Sequence, residues 1–431
     1  MTEPSTVTKR DVLRLAKDGN VRFVRLVFAD ILGVSKNVTI PVSRLAAAME
    51  HRITFDGGSI DGFVRGEELD MVLQPDPTTF AIYPWAGSDG CEARLICDIA
   101  MPDGTPFEGC PRTTLRRAVD ASAIRFGNVS VAAELEFFLF QHSDLEPGSL
   151  STGDVATYFD FPANDRGEEA RLAIVAGLEA MGIPVWASHH EHAPGQHEID
   201  FAAMTPLQLA DAILTARTIT KHIAARFGLD ATFMPKPLER AAGSGLHIDV
   251  RMDADEDTLL CAVGGILAHA RAMTALCNPT VNSYKRLVAE WDAPIYAVWS
   301  ERSVDTLVRL PKGTKGGLFE VRSPDPSCNP YLALATILAA ASDGIATSTF
   351  AGEPVRDSSY ALDARQRRDL GIIALPKSLR AALDALDEDH VIRAALGDHL
   401  FAAFRDAKLA EYERYRRSVH AWEHRAYLRL Y

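Results

Sequence analysis

The sequence predicts an α+β protein, a small mixed domain followed by a larger α+β domain, and three observations carry that prediction. The chain has 431 residues, room for two or three domains at roughly 150 residues each. Pro and Gly cluster in MPDGTPFEGCPR (101–112) between segments that are otherwise periodic, which marks a boundary. Beyond that cluster, strand-like runs alternate with long amphipathic helical runs. The expected domains are 1–104 and 105–431.

In chain order, residues 8–18 read as a short helix with Val12, Leu13 and Leu15 on its apolar side. VRFVRLVFAD (21–30) alternates as a strand does, VSKNVTIPV follows the ILG turn as a second strand, and SRLAAAME reads as a helix. The Gly- and Asp-rich stretch 55–76 has no period and is expected to be loop. RLICDIAM (94–101) reads as a buried strand. After the boundary come a helix at RTTLRRAVDASAIRF, a strand at VSVAAELEFFLF and a helix at EEARLAIVAGLEAMG. Two long helices follow at PLQLADAILTARTITKHIAARFG and EDTLLCAVGGILAHARAMTALC, with a helical, one-sidedly charged tail from about Ser378.

Composition excludes several classes. Lys plus Arg total 45 against 58 Asp plus Glu, a formal net charge of −13, which disfavours general binding to nucleic acid or to an anionic membrane. MTEPSTVTKRD lacks the apolar core of a secretory signal. The longest near-apolar run, Tyr331–Ala341, is too short to span a bilayer. Six scattered cysteines without a CxxC pair fit reduced thiols in a cytoplasmic protein.

The chemistry-bearing residues fall in five blocks. In AELEFFLF, Glu134 and Glu136 lie two apart in a strand, and period 2 aims both at one face, either towards water or towards a common ligand. HHEHAPGQHEID packs four histidines and three acids into twelve residues. Pro194 and Gly195 forbid a continuous helix there, so Glu191 and Glu198 flank a turn. The block is either a divalent site of mixed Glu and His ligands or a pH-sensitive surface loop. GSGLHIDVR runs from a flexible turn into a strand that puts His247, Asp249 and Arg251 on one face. LFEVRSPDPSCNPY places Glu320 and Arg322 two apart, either as neighbouring grips for a cation and a carboxylate or as a simple salt bridge. NSYKRLV adds Lys285 and Arg286 before a Pro-containing loop.

Taken together with FDGGSIDGF, FMPKP and NPTVNSYKRLV, these blocks resemble, in order and over almost the whole chain, the signatures of type I glutamine synthetase, in its shorter alpha-type branch. The resemblance extends to GFVRGEELDM, where Arg65 matches an arginine tied to product feedback. The usual adenylylation segment is lacking, although Tyr360 lies near its place.

The resemblance implies an N-terminal β-grasp domain, a C-terminal catalytic domain and a homo-oligomer, a dodecamer of two hexameric rings with active sites shared between subunits. It implies a ligase that uses ATP and two divalent ions (Mg²⁺ or Mn²⁺) to join glutamate to ammonium, or to an organic amine, through γ-glutamyl phosphate. Glu136, Glu191 and Glu198 would hold one ion, and Glu134, His247 and Glu320 the other. Arg286 and Arg322 would grip glutamate under the Gly243 turn. Asp56, near Ser59 and from the adjacent subunit, would take the proton of ammonium. Asp292 occupies the place of a flap glutamate.

The nucleotide positions depart from the pattern. Asp249 replaces a histidine and Arg251 a serine, Val304 and Leu318 replace arginines, and Arg309 is kept. A carboxylate facing a triphosphate repels it, so the resemblance implies intact metal and glutamate sites beside weakened nucleotide binding. Three readings follow: a glutamate–ammonia ligase, a γ-glutamyl ligase for an amine such as a polyamine, ethanolamine or methylamine, and a catalytically weakened ring protein.

Overall fold

The computed structural model describes residues 7–58, 60, 70–85, 90–141, 150–161, 163, 165–311 and 317–431. The helix Lys9–Asp18 opens with a Thr8 capping box and buries Val12 and Ala16. It leads into a first sheet made of β1 (Val21–Ala29), β2 (Ser35–Pro41), β3 (Thr54–Asp56), β4 (Asp70–Pro75), β5 (Ala81–Ile82) and β6 (Cys91–Ala100). The order is β2-β1-β6-β4-β3, with β5 also on β6; β1 and β6 run parallel, and the other pairs run antiparallel. Inward residues such as Val24, Leu26, Leu73 and Leu95 form its own core with Val12 and Leu45.

Two expectations change here. The aperiodic stretch 55–76 contributes β3 and β4, paired Phe55 to Met71. Alternate burial in β4 hides Met71 and Leu73, a period too short to stand out beside the Gly- and Asp-rich residues before it. SRLAAAME is only a 3₁₀ turn, Val42–Arg44, followed by one α turn, Leu45–Ala48.

The second sheet contains β7 (Val129–Gln141), β8 (Val185–His190), β9 (Gln196–Met204), β10 (Leu229–Thr232), β11 (Leu246–Met252), β12 (Trp299–Ser300), β13 (Val308–Arg309) and β14 (Gly317–Val321). Its order is β12-β13-β14-β11-β7-β9-β8, with β10 also on β7. Helices Pro111–Phe126, Glu168–Ala180, Pro206–Arg226, Glu256–Cys277 and Pro330–Thr347 share one large core with it. The last two helices are long and apolar enough, by length and composition, to cross a membrane. The apolar stretches therefore run longer than Tyr331–Ala341 suggested, but both helices are mostly buried inside the fold, which makes them core helices. They touch backbone to backbone, since a Cβ at Gly265 would lie 2.1 Å from the Ala340 carbonyl oxygen.

A buried guanidinium is one of the links between the two sheet regions. Arg112 reaches Asp76 at 2.8 Å and Asp98 at 3.1 Å, both in the first sheet region, and Asp211 of the helix Pro206–Arg226 at 2.9 Å. Tyr331 adds a hydroxyl donated to Asp211 at 2.6 Å. Removing one partner from such a network leaves buried charge uncompensated. Arg112→Met is therefore expected to cost about 3–5 kcal/mol in denaturant unfolding, and a loss below about 1 kcal/mol would show that these ion pairs do not hold the sheets together.

Candidate active site

β7 runs between β11 and β9 and carries the centre of the site. Its antiparallel register sets Glu134 opposite His247 on β11 and opposite Asp200 on β9, while Glu136 lies opposite Glu198. With period 2, all these side chains leave the same face. On β8, His189 lies opposite Glu198, and the turn that follows brings in Glu191. The result is a cleft of about 290 Å³ lined by Glu134, Glu136, Glu191, Glu198 and His247 on one side and by Gly243, Arg286, Asp292, Arg309 and Arg322 on the other.

Glu320 sits on β14 directly opposite Asp249, 1% exposed, with Oε1 3.7 Å from His247 Nδ1. His247 Nδ1 also lies 2.8 Å from Glu134 Oε2, and suitable ligand atoms of Glu134, His247 and Glu320 fall within 4.8 Å of one another. Glu198 stands equally close to His189 and Asp200, and Glu191 holds the backbone N–H and Nδ1 of His192 at 2.8 and 2.7 Å.

The arginines are tied to the same acids. Arg309 donates from Nε to Glu320 at 2.5 Å, and Arg322 pairs with Glu320 while its Nε donates to the Val304 carbonyl at 2.7 Å. The salt bridge foreseen for Glu320 and Arg322 thus forms, between an arginine that lines the cleft and a glutamate buried behind it. Arg286 is fixed by the carbonyls of Ser323 and Arg322 at 2.8 and 3.1 Å. Glycine is required at two places: a Cβ at Gly245 would lie 2.8 Å from both Arg286 Nη2 and His247 Nε2, and one at Gly243 would lie 2.5 Å from the Pro235 carbonyl oxygen.

Asp292 and Trp291 both have left-handed backbones, at φ 58° and 56°, a conformation costly for non-glycine residues. Tyr360 steadies this segment by donating its hydroxyl to the Ala293 carbonyl at 2.5 Å. Val304 lines the cleft, and Leu318 lies opposite Arg251 at the outer end of β11.

Several residues fall elsewhere. Asp56 ends β3 in the first sheet, its carboxylate accepts the Gly58 N–H at 2.7 Å, and it does not line the cleft of its own chain. Ser59 and Arg65 lie outside the described residues. Sequence reasoning passed over Gln196, whose side-chain amide bridges Glu136 Oε2 at 2.8 Å and the Gly243 carbonyl at 3.1 Å. It also passed over His189, Asp200, Tyr158 and Trp291 as lining residues. The alternation in SHHEH and QHEID was the available signal for the first two.

Comparison with known proteins agrees with this geometry. Residues 20–102 match the glutamine synthetase β-grasp domain, and residues 108–427 match the glutamine synthetase catalytic domain. The chain belongs to the glutamine synthetase family. A glutamine synthetase of Staphylococcus aureus strain Mu50 is 43% identical over 444 residues, covering 99% of each chain. One from Staphylococcus epidermidis is 44% identical over 442 residues, covering 98% of this chain and 99% of its own. Among solved structures, GmaS in complex with ADP superposes with a TM-score of 0.86 at 29% identity, covering 97% of this chain and 99% of that one. Ligand-free GmaS gives 0.85 at the same identity and coverage. The fold is therefore that of the family, a β-grasp domain followed by the catalytic domain, and the chain is a ligase that forms an amide bond.

The electrostatics of this glutamine synthetase family site call for cations. Burial, then the neighbouring Glu191 charge, pushes the Glu136 carboxyl up to about 8. Burial and the charge of Glu136 push Glu198 well above the ordinary carboxylate range. Burial and the Arg322 charge hold His247 below its ordinary value, which keeps a neutral imidazole available as a ligand. Carboxylate oxygens with one imidazole are the donor set of a hard divalent ion, so the residues present fit Mg²⁺ or Mn²⁺.

The sign of the pH effect follows. Glu136 and Glu198 hold protons in the folded chain that the unfolded chain releases near its ordinary carboxylate pKa, so the stability this contributes is present at low pH and lost as pH rises towards about 8. In chelator, Tm is expected to fall by a few degrees between about pH 5 and pH 8, and Mn²⁺ should restore it. Glu136→Gln should flatten the chelator profile and weaken Mn²⁺ binding. A Tm that rises over this range in chelator would contradict the assignment.

Proposed function

We propose that the chain is an ATP-dependent glutamate–ammonia ligase, a glutamine synthetase, working through γ-glutamyl phosphate. The single observation that carries this reading is the convergence of Glu134 and His247, backed by buried Glu320, with Arg286, Arg309 and Arg322 around one cleft, where acids able to hold cations adjoin guanidiniums able to hold carboxylates. The GmaS neighbour solved with ADP supports an adenine nucleotide as co-substrate.

The carboxylate of glutamate is inert to amines, so its γ-oxygen first attacks the γ-phosphorus of ATP and ADP leaves. Ammonia then attacks the acyl carbon, and the C–O bond to phosphate breaks as inorganic phosphate departs with the bonding electrons. Divalent ions held by the two acid sets would supply charge neutralisation during phosphoryl transfer. Arg286 and Arg322 orient the glutamate carboxylates by bidentate pairing. Arg309 is placed to meet charge on the transferring phosphoryl group. Asp292 and Trp291 cover the cleft and exclude water, which would otherwise hydrolyse the acyl phosphate. Asp56 of a neighbouring copy accepts the proton that ammonium must lose, which fits its place in the first sheet, away from its own cleft, and a homo-oligomer of two stacked hexameric rings.

One observation favours a second reading. Asp292 is a methylene shorter than the flap glutamate of the family and leaves room for a larger acceptor, and the solved neighbours are GmaS. A γ-glutamyl ligase for an organic amine would prefer that amine over ammonium. ADP release measured with glutamate and a panel of ammonium, methylamine, ethanolamine and polyamines separates the two readings. No ADP release with any acceptor would leave the weakened ring protein.

Asp56→Ala is expected to abolish amide formation while retaining ADP release from glutamate and ATP, and amide formation at the parent rate would place the ammonium pocket elsewhere. Glu320→Ala should lose activity, because Glu320 serves both the metal set and Arg309.

The nucleotide side is the distinctive part. Burial, then the charges of Glu320 and Glu134, raise Asp249 to about 7, with Arg309 and Arg251 opposing. Near neutrality Asp249 is thus partly protonated, and its repulsion of triphosphate grows as pH rises through about 7. The neutral side chains of Val304 and Leu318 forgo charged hydrogen bonds worth roughly 1.5–3 kcal/mol each. Calorimetry at saturating Mg²⁺ should show weak ATP binding, and tighter binding in Asp249→His. Micromolar affinity that is unchanged in Asp249→His would mean that other residues hold the phosphates.

A further inference from the structure

Glu191 and Glu198 project into the cleft from the β8–β9 hairpin, and the alternate residues His190 and His197 point the opposite way, into the protein. A buried polar layer lies behind them. Asp154 comes from a segment with no regular structure, 36 residues upstream of His190. Its Oδ2 lies 2.8 Å from His190 Nε2 and also accepts the Gly195 N–H at 2.8 Å, while Oδ1 accepts the Ala156 N–H at 2.8 Å. The other ring nitrogen, His190 Nδ1, lies 2.6 Å from the carbonyl oxygen of Glu191. Both nitrogens of His190 face acceptors, so both donate. One carboxylate therefore fixes the two sides of the turn at once, the Glu191 backbone through His190 and the Gly195 backbone directly.

A second arm supports Glu198. Arg171 pairs with Asp165 and donates to His197 Nδ1 at 2.8 Å, and Asp165 also accepts the Gly167 N–H at 2.9 Å. His197 is completely buried and packs against Gly167, where a Cβ would come 2.3 Å from Nε2. Asp154, Asp165, His190 and His197 are close enough to suggest a metal site of their own. Arg171 occupies that position instead, since a guanidinium bonded to Asp165 and His197 already satisfies the charge and excludes a second cation. None of these side chains lines the cleft, Asp154 and His197 bordering instead a separate cavity of about 280 Å³, so the effect of the layer on Glu191 and Glu198 is exerted through the hairpin.

We propose that Asp154 is a positioning residue that sets the spacing of Glu191 and Glu198 across the cleft, acting through His190 and the Gly195 amide. This rests on the divalent-ion reading of the cleft. Residues that orient metal ligands from behind commonly change metal affinity by 10–100-fold when removed.

Mn²⁺ binding to the full chain is measured by calorimetry and by the electron paramagnetic resonance of free Mn²⁺, with Asp154→Ala beside the parent. Affinity is expected to fall about 10–100-fold, and activity at saturating Mn²⁺ to return to within about threefold of the parent. Amide exchange at Gly195 should speed up in the metal-free variant. Asp154→Asn, which keeps an acceptor oxygen without the charge, should fall between the two. Parent Mn²⁺ affinity in Asp154→Ala, or an activity loss that saturating Mn²⁺ does not recover, overturns the proposal and leaves Asp154 a purely structural residue. If Asp154→Ala does not fold, His190→Gln, which loses the bond to the Glu191 carbonyl, carries the same expectation, and parent affinity there overturns the proposal equally. A parent chain that binds no Mn²⁺ overturns the metal reading itself, a result distinct from failure of the clamp.

Discussion

The constraint on which the rest of this structure depends is the mutual repulsion of carboxylates gathered on one face of a sheet. Glu134, Glu136, Glu198 and Asp200 face one another across two strands, and Glu191 joins them from the adjoining turn. Charges of one sign at such spacing, partly shielded from water, oppose folding unless protons or cations neutralise them. The raised Glu136 and Glu198 carboxyls are the metal-free expression of that conflict. Divalent ions would resolve it, so a loss of apo stability is exchanged for ion affinity.

The surroundings of the cleft are arranged to keep those acids in place. Gly243 and Gly245 let the backbone of the turn approach Arg286 and His247 more closely than any side chain would allow. Gln196 ties Glu136 to that turn from the opposite strand. Behind the sheet, the Asp154–His190 and Asp165–Arg171–His197 contacts hold the hairpin that carries two of the acids. Buried polar networks of this kind are worth retaining only when every member is satisfied; Arg171 Nε and His197 Nε2 are buried without a hydrogen-bond partner, so the Asp154–His190 arm is the better satisfied of the two.

The far end of the same strand face is less settled electrostatically. Asp249 lies opposite Glu320, which already engages Arg309 and Arg322. The guanidiniums that would neutralise a triphosphate are thus partly committed to a protein carboxylate. On the proposed reading, nucleotide would be held more by divalent ion than by arginine.

The sequence by itself determined the two-part α+β order, the core helices and the strand faces, because period 2 and period 3.6 are local properties. It also determined which side chains share a face, as with Glu134 and Glu136 or His247 and Asp249. The short strands β3 and β4 escaped it, since their pairing is made by partners distant in the chain rather than by their own pattern. Tertiary structure alone decided that Glu320 serves Arg309, Arg322 and the His247 set at once, and that Gln196 belongs to the site. It alone placed Asp154, Asp165 and Arg171 behind the hairpin, where no motif marks them. The physical reason is that a buried charge is defined by what surrounds it. Neighbours 36 to 113 residues away set what Asp154 and Glu134 bond, and no spacing along the chain encodes that.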